Sequence, residues 1–435
     1  MKKYLRCKDI EKSLYIAPNE IRSCCQRFFH NGKMRGDAQL LKIENGKTPS
    51  ADDIKLAREN LFNKIQNEKS ESCNGCPFLY ETETKPTFDS QIDHLSIEHH
   101  SVCNLRCTYC SEIYYGGKRS KYNVIDFIKY LNAEKSFENC KQVVWGGGEP
   151  TLDKSFEIIV NEIDKYASPD IYHRVFTNAV RYHDAITKFL KKGLIKIVTS
   201  IDAGTPETFK IVRGREKFLN VFENLSTYSK IDPEKITIKY ILTNDNYDEK
   251  NLDKFIKNCK KYKLDRCAFQ ISVNFKYDEL KINYLKSIIY LMNKFREANI
   301  NKFFCDDHIA ARFKKLNNSD RAEILDYINQ NNYQSVCLNF NDKIKNINIY
   351  GLGDIALNIL EKTNIINSFD TINLFDGDPK KIGTKIKNLK IKNPYEVKNN
   401  DYKIYISTAQ SFDDIYQNLI NMNISKQRLI SGLFI

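Results

Sequence analysis

Cys103, Cys107 and Cys110 stand in HSVCNLRCTYC with the spacing C-x3-C-x2-C, directly after the strand-like run IDHLSIEHH. That spacing brings three thiolates onto one loop. Thiolates are soft ligands suited to iron–sulfur clusters, and three of them on a four-iron cubane leave one iron open to a further ligand. A structural zinc completed by His99 or His100 is the alternative that spacing alone leaves standing. Downstream, KQVVWGGGEPTL runs from an apolar strand into Gly146, Gly147, Gly148, Glu149 and Pro150. Residues without side chains permit close backbone approach and unusual dihedrals, so something is expected to lie against this turn.

The chain has 13 cysteines, and most of them precede residue 111. Cys73 and Cys76 form a C-x2-C knuckle, and Cys7 with either Cys24 or Cys25 can close a four-thiolate site once the chain folds. Such a site suits zinc or an iron–sulfur cluster, and inert thiols are the third reading. Cys140, Cys259, Cys267, Cys305 and Cys337 have no partner spacing and read as small buried hydrophobes.

The elements that must position the first three cysteines form a repeating pattern. Between residues 92 and 275, the runs SIEHH, QVVW, RVFTN, IKIVTS, TIKYIL and FQISVNF alternate with helical stretches near 124–133, 153–166, 183–192, 216–229 and 249–262. Repeated βα units imply parallel strands whose C-terminal ends gather ligands. Polar residues stand at several of those ends: Thr177 and Asn178, Ser200 and Asp202, and Asn244. Each of these also reads as simple helix capping.

The cysteine loop, with Tyr109 before its last cysteine, and the GGGEP turn together resemble the radical S-adenosylmethionine superfamily over approximately residues 90 to 285. The resemblance implies an α/β fold, a partial (β/α)6 barrel, in which Cys103, Cys107 and Cys110 hold a [4Fe-4S] cluster. The open iron is then chelated by the amino and carboxylate groups of S-adenosyl-L-methionine, and the segment Gly146–Pro150 contacts the methionine amino group. Arg213 is the candidate for the cosubstrate's carboxylate or ribose, and Lys239 is a further pocket candidate. The cysteines before the barrel resemble the auxiliary-cluster extensions called SPASM or twitch, which usually follow the barrel; they imply a second [4Fe-4S] cluster.

Near residue 345 a different organisation begins. IKNINIYGLGDIALNILEK passes from a strand through Gly351 and Gly353 into a helix, and the next strand ends at Asp376, the spacing at which an acidic side chain reaches ribose hydroxyls. Asp378 competes for that role. This tail resembles the small Rossmann-like domains that accompany surface-polysaccharide and nucleotide-sugar enzymes, which implies a nucleotide ligand there. The expected domains are 1–88, a cysteine-rich extension; 89–285, the barrel; 286–344, a helical connection or cap; and 345–435, the Rossmann-like domain. Asp307 and His308 in the connection read as a general-base pair or as an ordinary hydrogen-bonded histidine.

Lys plus Arg number 68 against 55 Asp plus Glu, a net charge of +13. The excess is scattered lysine without an arginine run or aromatic interleaving, so it reads as solvated surface rather than a nucleic-acid footprint. A non-catalytic nucleic-acid-binding metalloprotein is the reading from another class, and it requires a fully ligated metal. MKKYLRCKDIEK lacks an apolar leader core and no stretch is long and apolar enough for a membrane, so a cytoplasmic protein with no membrane partner is expected. The expected activity is reductive cleavage of S-adenosylmethionine and hydrogen abstraction from a sugar or nucleotide-activated small metabolite. A peptide substrate is the runner-up, and a flavodoxin or ferredoxin-type protein is the expected reductant.

Overall fold

The computed structural model describes residues 3–44, 46–110, 116–168, 171–274, 276–277, 279–306, 309, 312, 316–331, 333, 344–353, 356–357, 360–361, 365–408 and 411–430. The chain forms two compact units. The first comprises Met1–Thr199, Arg213–Arg215 and Glu223–Ile236; the second comprises Ser200–Val212, Glu216–Phe222 and Thr237–Ile435. Among the described residues, no helix is long and apolar enough to cross a membrane.

The first unit holds the strands His94–Ile97, Gln142–Trp145, Tyr172–Phe176 and Ile195–Ser200, paired in parallel in that order. Most of their residues are buried and the rest are half-buried, as expected for parallel strands covered on both faces. Between them run the helices Val124–Ala133, Phe156–Asp164 and Asp184–Lys191, close to the expected positions. One pairing was not foreseen: Ser13–Ile16 lies parallel to His94–Ile97, and Glu20–Arg22 and Gln39–Lys42 continue the sheet antiparallel. The cysteine-rich extension therefore shares the barrel's sheet.

A helix, Ala51–Gln66, locks that extension in place. Ser50 caps it through a reciprocal box with Asp53, each accepting the other's amide. Ile54, Ala57, Leu61, Phe62 and Ile65 recur at helical spacing and are buried. Leu61, Phe62 and Ile65 pack with Ile10, Ala38, Cys73 and Phe88. Arg58 on the same helix is fully buried and donates to the carbonyls of Asp89 (2.7 Å) and Ser13 (3.1 Å). Further along the sheet, Trp145 Nε1 donates to His173 Nδ1 (2.9 Å), and His173 Nε2 pairs with Asp164 (2.8 Å). This chain fixes the tryptophan that immediately precedes the glycine turn.

The second unit holds Ile236–Leu242, Ala268–Val273 and Phe303–Cys305, again parallel. The last of these lies in the region expected to be a helical connection, which is therefore part strand. The tail has a six-stranded sheet whose parallel core places Asn346–Tyr350 between Thr371–Phe375 and Lys403–Ile406. Strand order reverses around Asn346–Tyr350, the arrangement of a doubly wound fold. The tail shares a core with the strands before it: Phe304 stacks on Phe412 at 4.6 Å, and Thr237 and Lys302 both reach Asp413 at 3.2 Å.

Candidate active site

The cysteine loop leaves the His94–Ile97 strand and is stitched to its surroundings by backbone. Arg106 N donates to Arg213 O (3.0 Å), Cys110 N closes a turn on Cys107 O (3.0 Å), and the Arg106 guanidinium returns to the carbonyls of Cys103 and Leu105. Gly214, at φ +74, lets this crossing happen, because a Cβ there would lie 2.5 Å from Arg106 O. Cys103, Cys107 and Cys110 are half-buried. Leu105 N (3.5 Å) and Asn178 Nδ2 (3.7 Å) both donate to Cys103 Sγ. Burial pushes the Cys103 thiol up, and the Leu105 amide works against that. Asn178 also donates to Asn104 Oδ1 at 2.6 Å, so one side chain holds both the sulfur and its loop.

The glycine turn lies directly against this loop. Gly148 N donates to His100 O (3.0 Å) and Glu149 N to Val102 O (2.8 Å). Gly147 has φ +82, a conformation that glycine adopts at little cost. The Glu149 side chain points inward and is almost fully buried. Its Oε1 accepts from Thr151 N (3.2 Å), Thr151 Oγ1 (2.7 Å) and Thr177 Oγ1 (2.7 Å), and its Oε2 accepts from Asn178 N (2.6 Å). Burial raises the Glu149 carboxyl above its ordinary range despite these donors. Glu149→Gln puts an amide where a carboxylate receives donors from both sides. The expected cost is about 1–3 kcal/mol in urea unfolding, from the donors left unpaired.

Arg213 and Tyr109 are brought together: the guanidinium donates to the tyrosine hydroxyl and lies 5.7 Å from its ring centroid, both groups buried. Ser200, Asp202 and Lys239 belong to the second unit. There Asp202, at φ +59, accepts from Ile241 N at 2.7 Å, and Lys239 O accepts from Ile201 N. Asn244 accepts from Lys281 Nζ and from the Tyr284 hydroxyl. Asp307, His308 and Cys337 lie outside the described residues.

His99 and His100 do not complete a zinc site with the cysteines. Among the described residues, the group of metal-ligand type whose atoms come within 4.8 Å of one another is His99, His100 and Asp153, with no cysteine in it. His99 Nε2 pairs with Asp153 Oδ2 at 2.8 Å, which ties the cysteine loop to the segment after the glycine turn. Burial pushes the Asp153 carboxyl up, but the His99 hydrogen bond and charge outweigh it and hold the group below its usual value. A carboxyl with a lowered folded value stabilises the native state above its unfolded value and loses that contribution as pH falls through the folded one. Asp153→Asn is therefore expected to cost about 1 kcal/mol at pH 7, with the gap to wild type closing below about pH 4, in urea titrations at both pH values.

Four of the five upstream cysteines gather in one place. Cys7 follows a strand, Tyr4–Arg6, that pairs with Tyr80–Thr82, just beyond the knuckle of Cys73 and Cys76. Cys7 and Cys24 pack against the core that contains Cys73. Charge on Cys73 and Cys24 would raise Cys76, which burial first pushes up to about 11. Cys25 diverges: after burial, the largest influence on its thiol is Glu98, whose carboxylate accepts from the Tyr15 hydroxyl. Cys24 packs with Cys7 against the core that contains Cys73, whereas Cys25 is exposed.

In the tail, Asp376, the acidic residue expected on a ribose, meets donors of the protein. Asp376 Oδ2 accepts from Leu352 N (2.8 Å) and pairs with Lys381 Nζ (3.2 Å), and its Oδ1 accepts from Asp378 N. Gly351, at φ +86, answers a packing need, since a Cβ would lie 2.6 Å from Ile415 Cδ1 and 2.8 Å from Thr408 Cγ2. Among the described residues, Thr408 Oγ1 lies 4.0 Å from where a Cβ on Gly353 would stand.

Of the expected residues, the structure gathers the loop, the turn, Thr177, Asn178 and Arg213 in one place. Asn104, Asp153 and the Glu98–Tyr15 pair were not among the expected residues; of these, Asn104 lies inside the cysteine motif.

Residues 97–256 match the family profile described as Radical SAM superfamily. Curated relatives include the GTP 3',8-cyclase of Mannheimia succiniciproducens, 28% identical over 171 residues, covering 39% of this chain and 50% of that one. The GTP 3',8-cyclase of Actinobacillus succinogenes is 30% identical over 158 residues, 36% of this chain and 46% of that one. The chain thus spans about half the length of the curated relatives it matches. Among solved structures, SuiB of Streptococcus suis bound to its precursor peptide SuiA gives a TM-score of 0.42 at 15% identity, covering 61% of this chain and 66% of that one. The enzyme anSMEcpe with bound AdoMet gives 0.37 at 22% identity, covering 47% and 59%.

Proposed function

We propose that this chain, whose residues 97–256 form a radical SAM domain, cleaves S-adenosylmethionine reductively and takes a hydrogen atom from a nucleotide-linked polar metabolite such as a nucleotide sugar. The observation that carries the reading is the backbone pairing of the cysteine loop with Gly148 and Glu149, with Asn178 bridging to Cys103.

The radical SAM family uses a [4Fe-4S] cluster and S-adenosylmethionine, and the donor set fits them: three half-buried thiols on one loop, with two N–H donors on the first sulfur. Cys103, Cys107 and Cys110 would hold the cluster. When bound, cluster and cosubstrate together supply a 5'-deoxyadenosyl radical on receipt of one electron. The chain's own contribution is placement. Asn178 orients Cys103 and its loop, and Glu149 anchors the glycine turn through four donors. The Arg213–Tyr109 pair closes the buried side of the loop, and Gly146–Gly148 leave the turn's backbone open to approach.

A nucleotide in the substrate is supported by the curated relatives, named as acting on GTP, and by the Rossmann-like strand order of the tail. A role in polysaccharide assembly and a location in a reducing compartment such as the cytoplasm accord with this reading, and a flavodoxin or ferredoxin-type protein would supply the electron. The test is anaerobic reconstitution of the full chain, followed by dithionite and S-adenosylmethionine with nucleotide sugars, GTP or a panel of peptides. Production of 5'-deoxyadenosine stimulated by a nucleotide substrate, with deuterium transferred from it, supports the proposal. Stimulation by peptides alone replaces the substrate class, and absence of cleavage sinks the activity.

A further inference from the structure

We infer that the cavity between the cysteine loop and the helix Val124–Ala133 is a phosphoryl-binding site built on Arg119, His100 and the first amides of that helix. It rests on the reading above only in drawing the phosphoryl group from the nucleotide part of the substrate.

The run GGKRSKYN sets three cations in four positions immediately before a helix. Its backbone is pinned from both sides. Ser101 N donates to Lys118 O and Lys118 N to Ser101 Oγ, both at 2.8 Å, which ties the run to the residues just before Cys103. Lys121 N donates to Pro18 O (2.9 Å) and the Tyr122 hydroxyl to Ala17 O (3.1 Å), which ties it to the cysteine-rich extension. The space so enclosed is about 210 Å³, with His99, His100, Arg119, Val124, Ile125 and Asp153 in its wall. A whole small-molecule ligand takes roughly 300–1,000 Å³, so this cavity suits one end group of a ligand.

Donors line that space. Val102 N donates to His100 Nδ1 at 3.3 Å, and a ring nitrogen that accepts carries no hydrogen, so His100 holds its hydrogen on Nε2. His99 is buried; its Nε2 is bound to Asp153, and its Nδ1 has no hydrogen-bond partner among the described residues. Asn123 caps the helix through Asp126 N, which leaves the amides of Val124 and Ile125 without an intrahelical acceptor. Their partial positive charge favours an anion. Arg119 is exposed and has no hydrogen bond or ion pair among the described residues. A guanidinium offers a phosphoryl group two parallel N–H donors.

His99, His100 and Asp153 also offer atoms within 4.8 Å of one another, the grouping a divalent cation would need. Two features decide against a cation. His100 presents a hydrogen rather than a lone pair at Nε2, and Arg119 brings a positive charge into the wall. The Asp153 carboxylate, which would repel an anion, is already bound by His99 Nε2 at 2.8 Å and by Ser155 N at 3.1 Å.

The test is calorimetric binding of pyrophosphate to the full chain, anaerobically reconstituted and desalted, in about 0.15 M salt, where diffuse attraction of anions is screened. Arg119→Ala is expected to weaken binding at least about tenfold, and His100→Leu about as much. His100→Gln, whose amide nitrogen stands where Nε2 stood, should stay within about threefold. Lys121→Ala, a cation of the same run outside the cavity wall, should change binding less than about twofold. Arg119 is exposed, so its variant keeps the fold and decides alone should His100→Leu fail to fold. Competition by GTP or UDP-glucose, but not by guanosine, identifies a nucleotide's phosphate as the occupant. Displacement by inorganic phosphate with no effect of nucleotides supports the site while removing the nucleotide from the substrate. Absence of pyrophosphate binding, equal binding by Arg119→Ala, or a zinc ion whose uptake requires His99 and Asp153 would overturn the site.

Discussion

Changing Cys103, Cys107 and Cys110 together to alanine is expected to bring reductive cleavage of S-adenosylmethionine down to background, a loss of more than about a thousandfold, equivalent to about 4 kcal/mol of barrier. The same change should remove about four irons per chain. The fold should survive. The three side chains are only half-buried, the loop is held by Arg106 N on Arg213 O and by the arginine's return to the loop carbonyls, and none of those bonds uses sulfur. Truncating three small, partly exposed side chains costs about 1 kcal/mol or less each, so circular dichroism and urea midpoints should stay close to wild type. Cys103→Ala also leaves Asn178 Nδ2 and Leu105 N without their shared acceptor. Retained 5'-deoxyadenosine production in the triple variant would place the chemistry elsewhere.

What the sequence disclosed was whatever is decided within a few residues. The C-x3-C-x2-C spacing, the run of three glycines and the apolar strands leading into them are local, and the parallel strands from His94 to Val273 follow from their βα alternation. What it hid depends on partners far along the chain. Ser13–Ile16 is a four-residue strand whose neighbour lies some 80 positions away, and nothing in SLYI marks it as parallel to HLSI. Phe303–Cys305 is three residues long, too short for periodicity to reveal. Asp376 carried the right spacing for a ribose contact, and the structure gives its carboxylate to Leu352 N and Lys381.

The three glycines look equivalent in sequence, and their substitution should not be. A Cβ on Gly148 would lie 2.2 Å from Val102 O, 2.7 Å from Val102 N and 2.8 Å from Ser101 C, all backbone atoms of the cysteine loop. None of these can rotate away, and the same glycine's amide is bound to His100 O. Gly148→Ala must therefore wedge the turn from the loop, at about 3 kcal/mol in urea unfolding, with iron at the first cluster falling in parallel. On Gly146 the added carbon would meet Glu98 Oε1 at 2.7 Å, the far end of a flexible side chain held by the Tyr15 hydroxyl. Gly146→Ala should cost about 1 kcal/mol and spare the iron. Gly193→Ala serves as the control: its φ is +73 with open space around it, so it carries backbone strain without a clash, about 1–2 kcal/mol, and no change in iron. If Gly148→Ala melts and loads like wild type, the pairing of turn and loop is not what sets the site. If it loses stability and iron together while Gly193→Ala loses only stability, the two loops act as one element, because the amides that place the turn are bonded to the carbonyls that place the first cysteine.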